Sequence, residues 1–185
     1  MLMRTQTLMA SSSKFPAAVA IAGAVSRGYL SFETKACEVF EWWVSEPSDV
    51  RSRVTLQHLL TFTSGLVSSE DVGGCGVPCL GTENGTDYEP EACAREIYAQ
   101  GPWVARPGAL WSYHSLHLQL AGAMAAKAAG LSVQELLSEF LLEPLEMGAT
   151  SWIGVKDGAT LVPNPRNPHL AVYMVSTGDD YDTHP

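Results

Sequence analysis

Ala10-Ser11-Ser12-Ser13-Lys14-Phe15 is the stretch whose reading decides the fold. A serine followed three residues later by a lysine puts both side chains on one face of a helix, about one turn apart. Phe15, Ala18, Ala22 and Val25 recur at helical spacing and Arg27-Gly28 ends the pattern, which predicts a helix over 11–27. Ser11 and Lys14 head that apolar stripe, so both are expected to face inward. Residues 5–10, just ahead, read as a short strand. A second motif, Tyr113-His114-Ser115, follows the turn Arg106-Pro107-Gly108. A tyrosine in a loop can close over the serine–lysine pair from the other side, giving a nucleophile with two proton acceptors.

Outward from these motifs the chain is mostly helical. Residues 36–44, carrying Val39, Phe40, Trp42 and Trp43, read as a short helix, and 55–62 as another with Thr55 near its start. A loop over about 67–90 is rich in Gly, Pro, Asp and Asn, and Glu91–Gln100 is helical. The Ala- and Leu-rich segment 115–129 is strongly helical and ends at Gly130. Ser132 is an N-cap for 133–142, with Glu135 completing a capping box, and Pro144 closes that helix. The tail from 151 is broken by Pro and Gly, with one strand candidate at Leu170–Val175. There is no internal repeat.

The bulk composition narrows the function classes. The chain has 185 residues, 46% of them apolar and 17% charged, which suits one domain with a true core. With a net charge of −9 and a pI near 4.9, and no basic stripe, nucleic acid is not an expected partner. No apolar run reaches the roughly 18 residues of a transmembrane helix. All four cysteines are disulfide candidates: Cys75, Cys79 and Cys93 fall in the Gly-rich stretch Val72–Cys93, and Cys37 lies outside it. Cys75-x3-Cys79 has no second His or Cys pair at zinc spacing, so a disulfide-stapled loop is the favoured reading. Asn84-Gly85-Thr86 is a glycosylation sequon in the same loop, and both features lean towards a secretory compartment.

A serine hydroxyl is a poor nucleophile until a base takes its proton. Lys14 can do so when neutral, and burial favours the neutral amine. Backbone N–H groups at the helix start suit an oxyanion. Tyr113 is a candidate second proton handler and Ser115 a candidate substrate contact. The N-terminus has a rival reading as a signal peptide, with Arg4 and Lys14 as the basic start and Phe15–Val25 as the apolar region. His58, His114 and His117 do not form a metal set, and His114 and His117 are expected on the surface at a helix start.

Five segments in order weigh against the signal peptide. Leu8-Met9-Ala10-Ser11-Ser12-Ser13-Lys14-Phe15 resembles the nucleophile segment of the serine β-lactamase and penicillin-binding-protein-like family, in its class C branch. Val25-Ser26-Arg27-Gly28-Tyr29-Leu30-Ser31 is similar to the turn after that family's first helix. Val54-Thr55-Leu56-Gln57-His58-Leu59-Leu60-Thr61-Phe62-Thr63-Ser64-Gly65-Leu66 resembles a family hallmark, Trp111-Ser112-Tyr113-His114-Ser115 the tyrosine motif, and Leu142–Thr150 the end of the helical lobe. Together they cover roughly 5–152.

The resemblance implies an α+β fold of the β-lactamase/transpeptidase type, mostly the helical lobe with an incomplete antiparallel sheet. It implies a helical lobe over about 11–150, a Cys/Gly-rich insertion over 67–93, and a truncated return to the sheet over 151–185. It implies that Ser11 is acylated, that Lys14 is its base and that Tyr113 handles a second proton. An ester, peptide or amide substrate would be hydrolysed through an acyl-enzyme, with no metal or organic cofactor. Three departures stand out. Ser115 replaces the family's usual asparagine, which leans away from β-lactams. Phe62 replaces a histidine. The late strand with Lys- or His-x-Gly has no counterpart: Lys156-Asp157-Gly158 has the spelling but lies too close to the helical lobe. The expectation is therefore a fragment of a serine hydrolase, weak or inactive by itself, with a non-catalytic binding or scaffold protein as the alternative.

Overall fold

Leu116 to Ala126, the first eleven residues of one helix, are buried one after another. A helix apolar all round belongs inside a protein, and this one, α5 (Leu116–Ala129), is the axis of the fold. The computed structural model describes residues 4–67, 79, 89–156, 160–163, 168, 170–172 and 174–182. Around α5 pack α1 (Lys14–Ser26), α2 (Ala36–Val39), α3 (Leu56–Leu60), α4 (Pro90–Gln100) and α6 (Val133–Leu137), which runs on as one π-type turn over Ser138–Leu142. Small residues on α5, Ala121, Gly122, Ala123, Ala125 and Ala126, let these neighbours approach closely.

The expected Ser132 capping box is present: Ser132 N–H donates to Glu135 Oε2 (2.8 Å) and Glu135 N–H to Ser132 Oγ (3.1 Å). Thr55 caps α3 in the same way, with His58 as the returning side chain. The expected helix over 36–44 is shorter, because Phe40 leaves it in an extended conformation. Phe40 instead joins Trp42, Trp43, Tyr98 and Trp103 in an aromatic cluster, with Trp43 and Tyr98 rings 4.5 Å apart.

The stripe expected on α1 is turned. Its buried face is Pro16, Ala17, Ala20, Ile21 and Ala24, and Phe15 and Val19 point outward. This helix is apolar on every side, so tertiary contacts with α5 and α6 choose the face.

The tail holds more sheet than its Pro and Gly content suggests. β2 (Ser151–Lys156), β3 (Thr160–Pro163) and β4 (Met174–Ser176) join β1 (Thr7–Leu8) in a four-stranded antiparallel sheet of order β1-β4-β2-β3. Thr7 pairs with Ser176, Trp152 with Met174 and Gly154 with Val162. The strand expected at Leu170–Val175 is β4, displaced towards the C-terminus. Leu170, Ala171 and Val172 form a buried turn instead. A short helix α7 (Gly178–Asp182) follows, and Asp180 accepts from Ala149 N–H and Thr150 Oγ1 (both 2.8 Å).

Cys79 and Cys93 are disulfide-bonded, tying residue 79 to α4. Cys37, grouped with them as a disulfide candidate, is instead a free thiol on α2 directed at the Ser52 carbonyl. Cys75, Asn84 and Asp157-Gly158 lie outside the described residues. No helix among the described residues is long and apolar enough to cross a membrane, and no group of His, Cys, Asp and Glu among them could hold a metal ion.

Candidate active site

β1 delivers the chain to Ser11. Met9 N–H donates to Met174 O (2.8 Å), carrying the β1–β4 pairing one residue further. Ala10 then takes φ +44°, in the left-handed region that a side chain rarely adopts. That sharp change of direction launches one 3₁₀ turn, Ala10–Ser13, which feeds straight into α1. Ser12 N–H donates to Met9 O (3.0 Å) and Ser13 Oγ to Ala10 O (2.7 Å), stapling the turn. The result is a solvent-exposed Ser11 beside a buried Lys14. The inward orientation expected of the pair holds for Lys14, which is only 7% exposed, and not for Ser11.

Lys14 Nζ lies 3.3 Å from Ser11 Oγ and donates to the Ala171 carbonyl at 2.9 Å. It also stands 4.6 Å from the centroid of the Tyr113 ring. The structure thus gathers Ser11, Lys14 and Tyr113 around one amine.

Tyr113 is held by the hallmark segment. Residues 62–67 run beside 102–112 through four backbone bonds: Ser112 N–H to Phe62 O (2.9 Å), Gly108 N–H to Thr63 O (2.8 Å), Val104 N–H to Gly65 O (2.9 Å) and Val67 N–H to Pro102 O (3.1 Å). Gly65 is required in this ladder, because at φ +91° a Cβ would collide with the Ala105 carbonyl. Phe62, at φ +60°, turns its ring against Tyr113 (5.1 Å between centroids). Trp111 stacks on Tyr113 at 6.1 Å and closes the cluster against Phe62 at 6.5 Å. Phe62 therefore packs against the tyrosine where the sequence pattern led to expect a histidine.

Ser115 is fully buried at the N-cap of α5, whereas Ser11 and Tyr113 open to solvent. His114 and His117, expected on the surface, are buried too, 1% and 0% exposed, because α5 has no solvent-facing side at this end. Their rings lie 4.1 Å apart. His114 Nε2–H donates to Leu66 O (3.0 Å), and His117 Nε2 shares a hydrogen bond with Ser64 Oγ (2.9 Å). Burial pushes His117 down to about 3, with the charge of His114 acting the same way. Burial also lowers His114, opposed by its bond to Leu66 and reinforced by the charge of Lys14. Both rings are neutral near pH 7 and pack the floor beneath Phe62 (5.4 Å from His117). His58 is lowered by burial as well.

Two partners had no obvious sequence signal. Ala171 contributes only a carbonyl, which every residue has. Gln119, buried on α5, bonds backbone at Pro168 and Leu170, next to Ala171.

Residues 2–181 match the family model described as Beta-lactamase. The chain belongs to the beta-lactamase family. Esterase EstB from Burkholderia gladioli is 29% identical over 170 residues, covering 87% of this chain and 42% of EstB. Among solved structures, a beta-lactamase/D-alanine carboxypeptidase from Yersinia pestis superposes with a TM-score of 0.73 at 17% identity, covering 95% of this chain and 51% of that one. An octameric penicillin-binding protein homologue from Pyrococcus abyssi gives 0.68 at 23% identity, covering 96% and 43%. The fold is therefore of the β-lactamase/transpeptidase type. This beta-lactamase family chain spans about half the length of the relatives it matches.

Proposed function

We propose that this chain carries the acylation machinery of a serine hydrolase, with Ser11 as nucleophile, Lys14 as general base and Tyr113 as second proton handler. The observation that carries this reading is Lys14 Nζ, 3.3 Å from Ser11 Oγ, within 3 Å of the Ala171 carbonyl and over the Tyr113 ring. In a neutral amine, one N–H given to Ala171 O leaves the lone pair free to face the serine hydroxyl. Ser11 Oγ then attacks the substrate carbonyl carbon as its proton passes to Nζ. The tetrahedral oxyanion meets the backbone N–H of Ser11 at the start of the 3₁₀ turn. Collapse expels the alcohol or amine, which takes a proton handed on through Lys14 and Tyr113. Water resolves the acyl-enzyme, regenerates the Ser11 hydroxyl and releases the carboxylic acid.

The substrate class is an ester, peptide or amide. The similarity to EstB favours an ester. The Ser11–Lys14 and Tyr113 segments, which resemble two of that family's motifs, are both among the described residues. Among those residues the Ser11 N–H is the oxyanion donor at this turn, and a site with one such donor rather than two is expected to turn over about 10²–10³ more slowly. The fully buried Ser115 favours the second reading, a non-catalytic binding or scaffold protein, since a side chain without accessible surface contacts no substrate.

Reaction with a fluorophosphonate probe separates the two. The catalytic reading expects one phosphonyl adduct that disappears in Ser11→Ala. A folded wild-type chain that takes no label at saturating probe is the non-catalytic result.

A further inference from the structure

We propose that Gln119 is a positioning residue that holds the Ala171 carbonyl on Lys14. Gln119 sits on α5 among Leu118, Leu120 and Ala121 and is only 2% exposed. A primary amide has no place in such a core unless both of its ends are bonded, because a buried polar group without a partner bears its full desolvation penalty. Its Nε2–H donates to Pro168 O (3.1 Å), and its Oε1 accepts from Leu170 N–H (3.4 Å). The side chain therefore pairs with backbone as a neighbouring strand would, using donor and acceptor together.

Two further contacts fix the same turn. Trp152 Nε1–H, from β2, donates to Leu170 O at 3.3 Å. Leu170 packs its side chain over Gly122, one α5 turn on from Gln119, where an added Cβ would collide with Leu170 Cδ1. Leu170 is thus gripped at its N–H, its carbonyl and its side chain. The next carbonyl in the chain, that of Ala171, accepts from Lys14 Nζ at 2.9 Å. The line of contact runs from Gln119 through Leu170 and Ala171 to Lys14 and Ser11. Gln119 touches none of the reacting atoms and acts through the direction in which the amine is held. Its consequence for catalysis rests on the roles given above to Ser11 and Lys14; the clasp itself does not.

Gln119→Met keeps the length and removes both hydrogen bonds. Amide hydrogen exchange by NMR is expected to speed at Leu170 by about tenfold or more while the amides of Leu120–Met124 stay protected. Competitive acetylation is expected to show Lys14 about threefold or more reactive, once its carbonyl partner is released. Gln119→Glu restores a donor to Pro168 O only when its carboxyl is protonated. Its Leu170 and Lys14 differences from wild type are therefore expected to shrink as pH falls. Where wild type labels at Ser11, the labelling rate of Gln119→Met is expected to fall by about tenfold, and its pH profile to move. Unchanged Leu170 exchange and Lys14 reactivity in folded Gln119→Met overturn the proposal. If that variant does not fold, a Gln119→Glu chain that matches wild type at every pH overturns it. Absence of Ser11 labelling in wild type counts against the nucleophile assignment alone, since the clasp is read at Leu170 and Lys14.

Discussion

Acidification should unfold this protein through its buried histidines before its carboxylates titrate. His117 is held at about 3 in the folded chain against an ordinary 6.5, chiefly by burial. Unfolding lets the ring return to its ordinary value, so the unfolded chain binds the extra proton between these limits. Stability then rises with pH, and is lost as pH falls through 6.5 towards 3. Each pH unit well inside that window is worth about 1.4 kcal/mol, so this one ring removes about 2 kcal/mol by pH 5 and about 4 kcal/mol by pH 3. His114 and His58 are lowered by burial as well, and act in the same direction. Glu91 and Asp49 are both held below the ordinary carboxylate range, chiefly by hydrogen bonds from their cationic partners, and so leave the upper window to the histidines. The assay is urea unfolding followed by tryptophan fluorescence at intervals from pH 8 to 5, on wild type and on His117→Gln. Glutamine can keep the bond to Ser64 Oγ but cannot take the proton. Wild type should lose 2 kcal/mol or more over this range, and the variant should lose about 2 kcal/mol less. A wild-type stability flat to about 0.5 kcal/mol, or an identical slope in His117→Gln, would refute the reasoning.

Gly65→Ala forces a Cβ against the Ala105 carbonyl at a positive φ and should cost about 2 kcal/mol or more, read as a melting temperature lower by 4 °C or more. An unchanged melting temperature would show that the ladder beneath Tyr113 yields without cost. The Cys79–Cys93 bridge closes a loop of sequence separation 14, so its reduction should lower stability by about 3 kcal/mol in the chain-entropy account, measured by urea unfolding with and without reductant. Removing the Lys127–Glu91 pair with Lys127→Met should cost less than about 1 kcal/mol, because both side chains are partly in water, and the difference should shrink at high salt.

The sequence carried the helical lobe well, for a physical reason. α5 is long, mostly apolar and free of proline, and it ends at Gly130, while Ser132–Glu135 writes its own cap. The serine–lysine spacing likewise survives folding, since three residues span one helical turn whichever face is buried. What failed was the choice of face on α1, where Ala, Val and Ile surround the axis and periodicity cannot distinguish Phe15 from Ala17. The buried histidines were misplaced for the complementary reason. Their polarity suggests surface, but the enclosure of α5 by its neighbours decides. β4 was hard to read because it is short and paired with distant chain, as Ser176 is with Thr7, and β2 and β3, which pair with each other nearby in sequence, because Gly and Pro interrupt their pattern. The Ala171 carbonyl has no side-chain signature at all, and only the folded turn beside Gln119 brings it to Lys14.

The most direct test of the central claim is peptide mapping by mass spectrometry after brief exposure of the chain to an activated aryl ester. The account predicts one acyl adduct, on the peptide containing Ser11, absent in Ser11→Ala and formed at least about 100-fold more slowly in Lys14→Met. An adduct on another residue, or equal acylation rates in wild type and Lys14→Met, would contradict it.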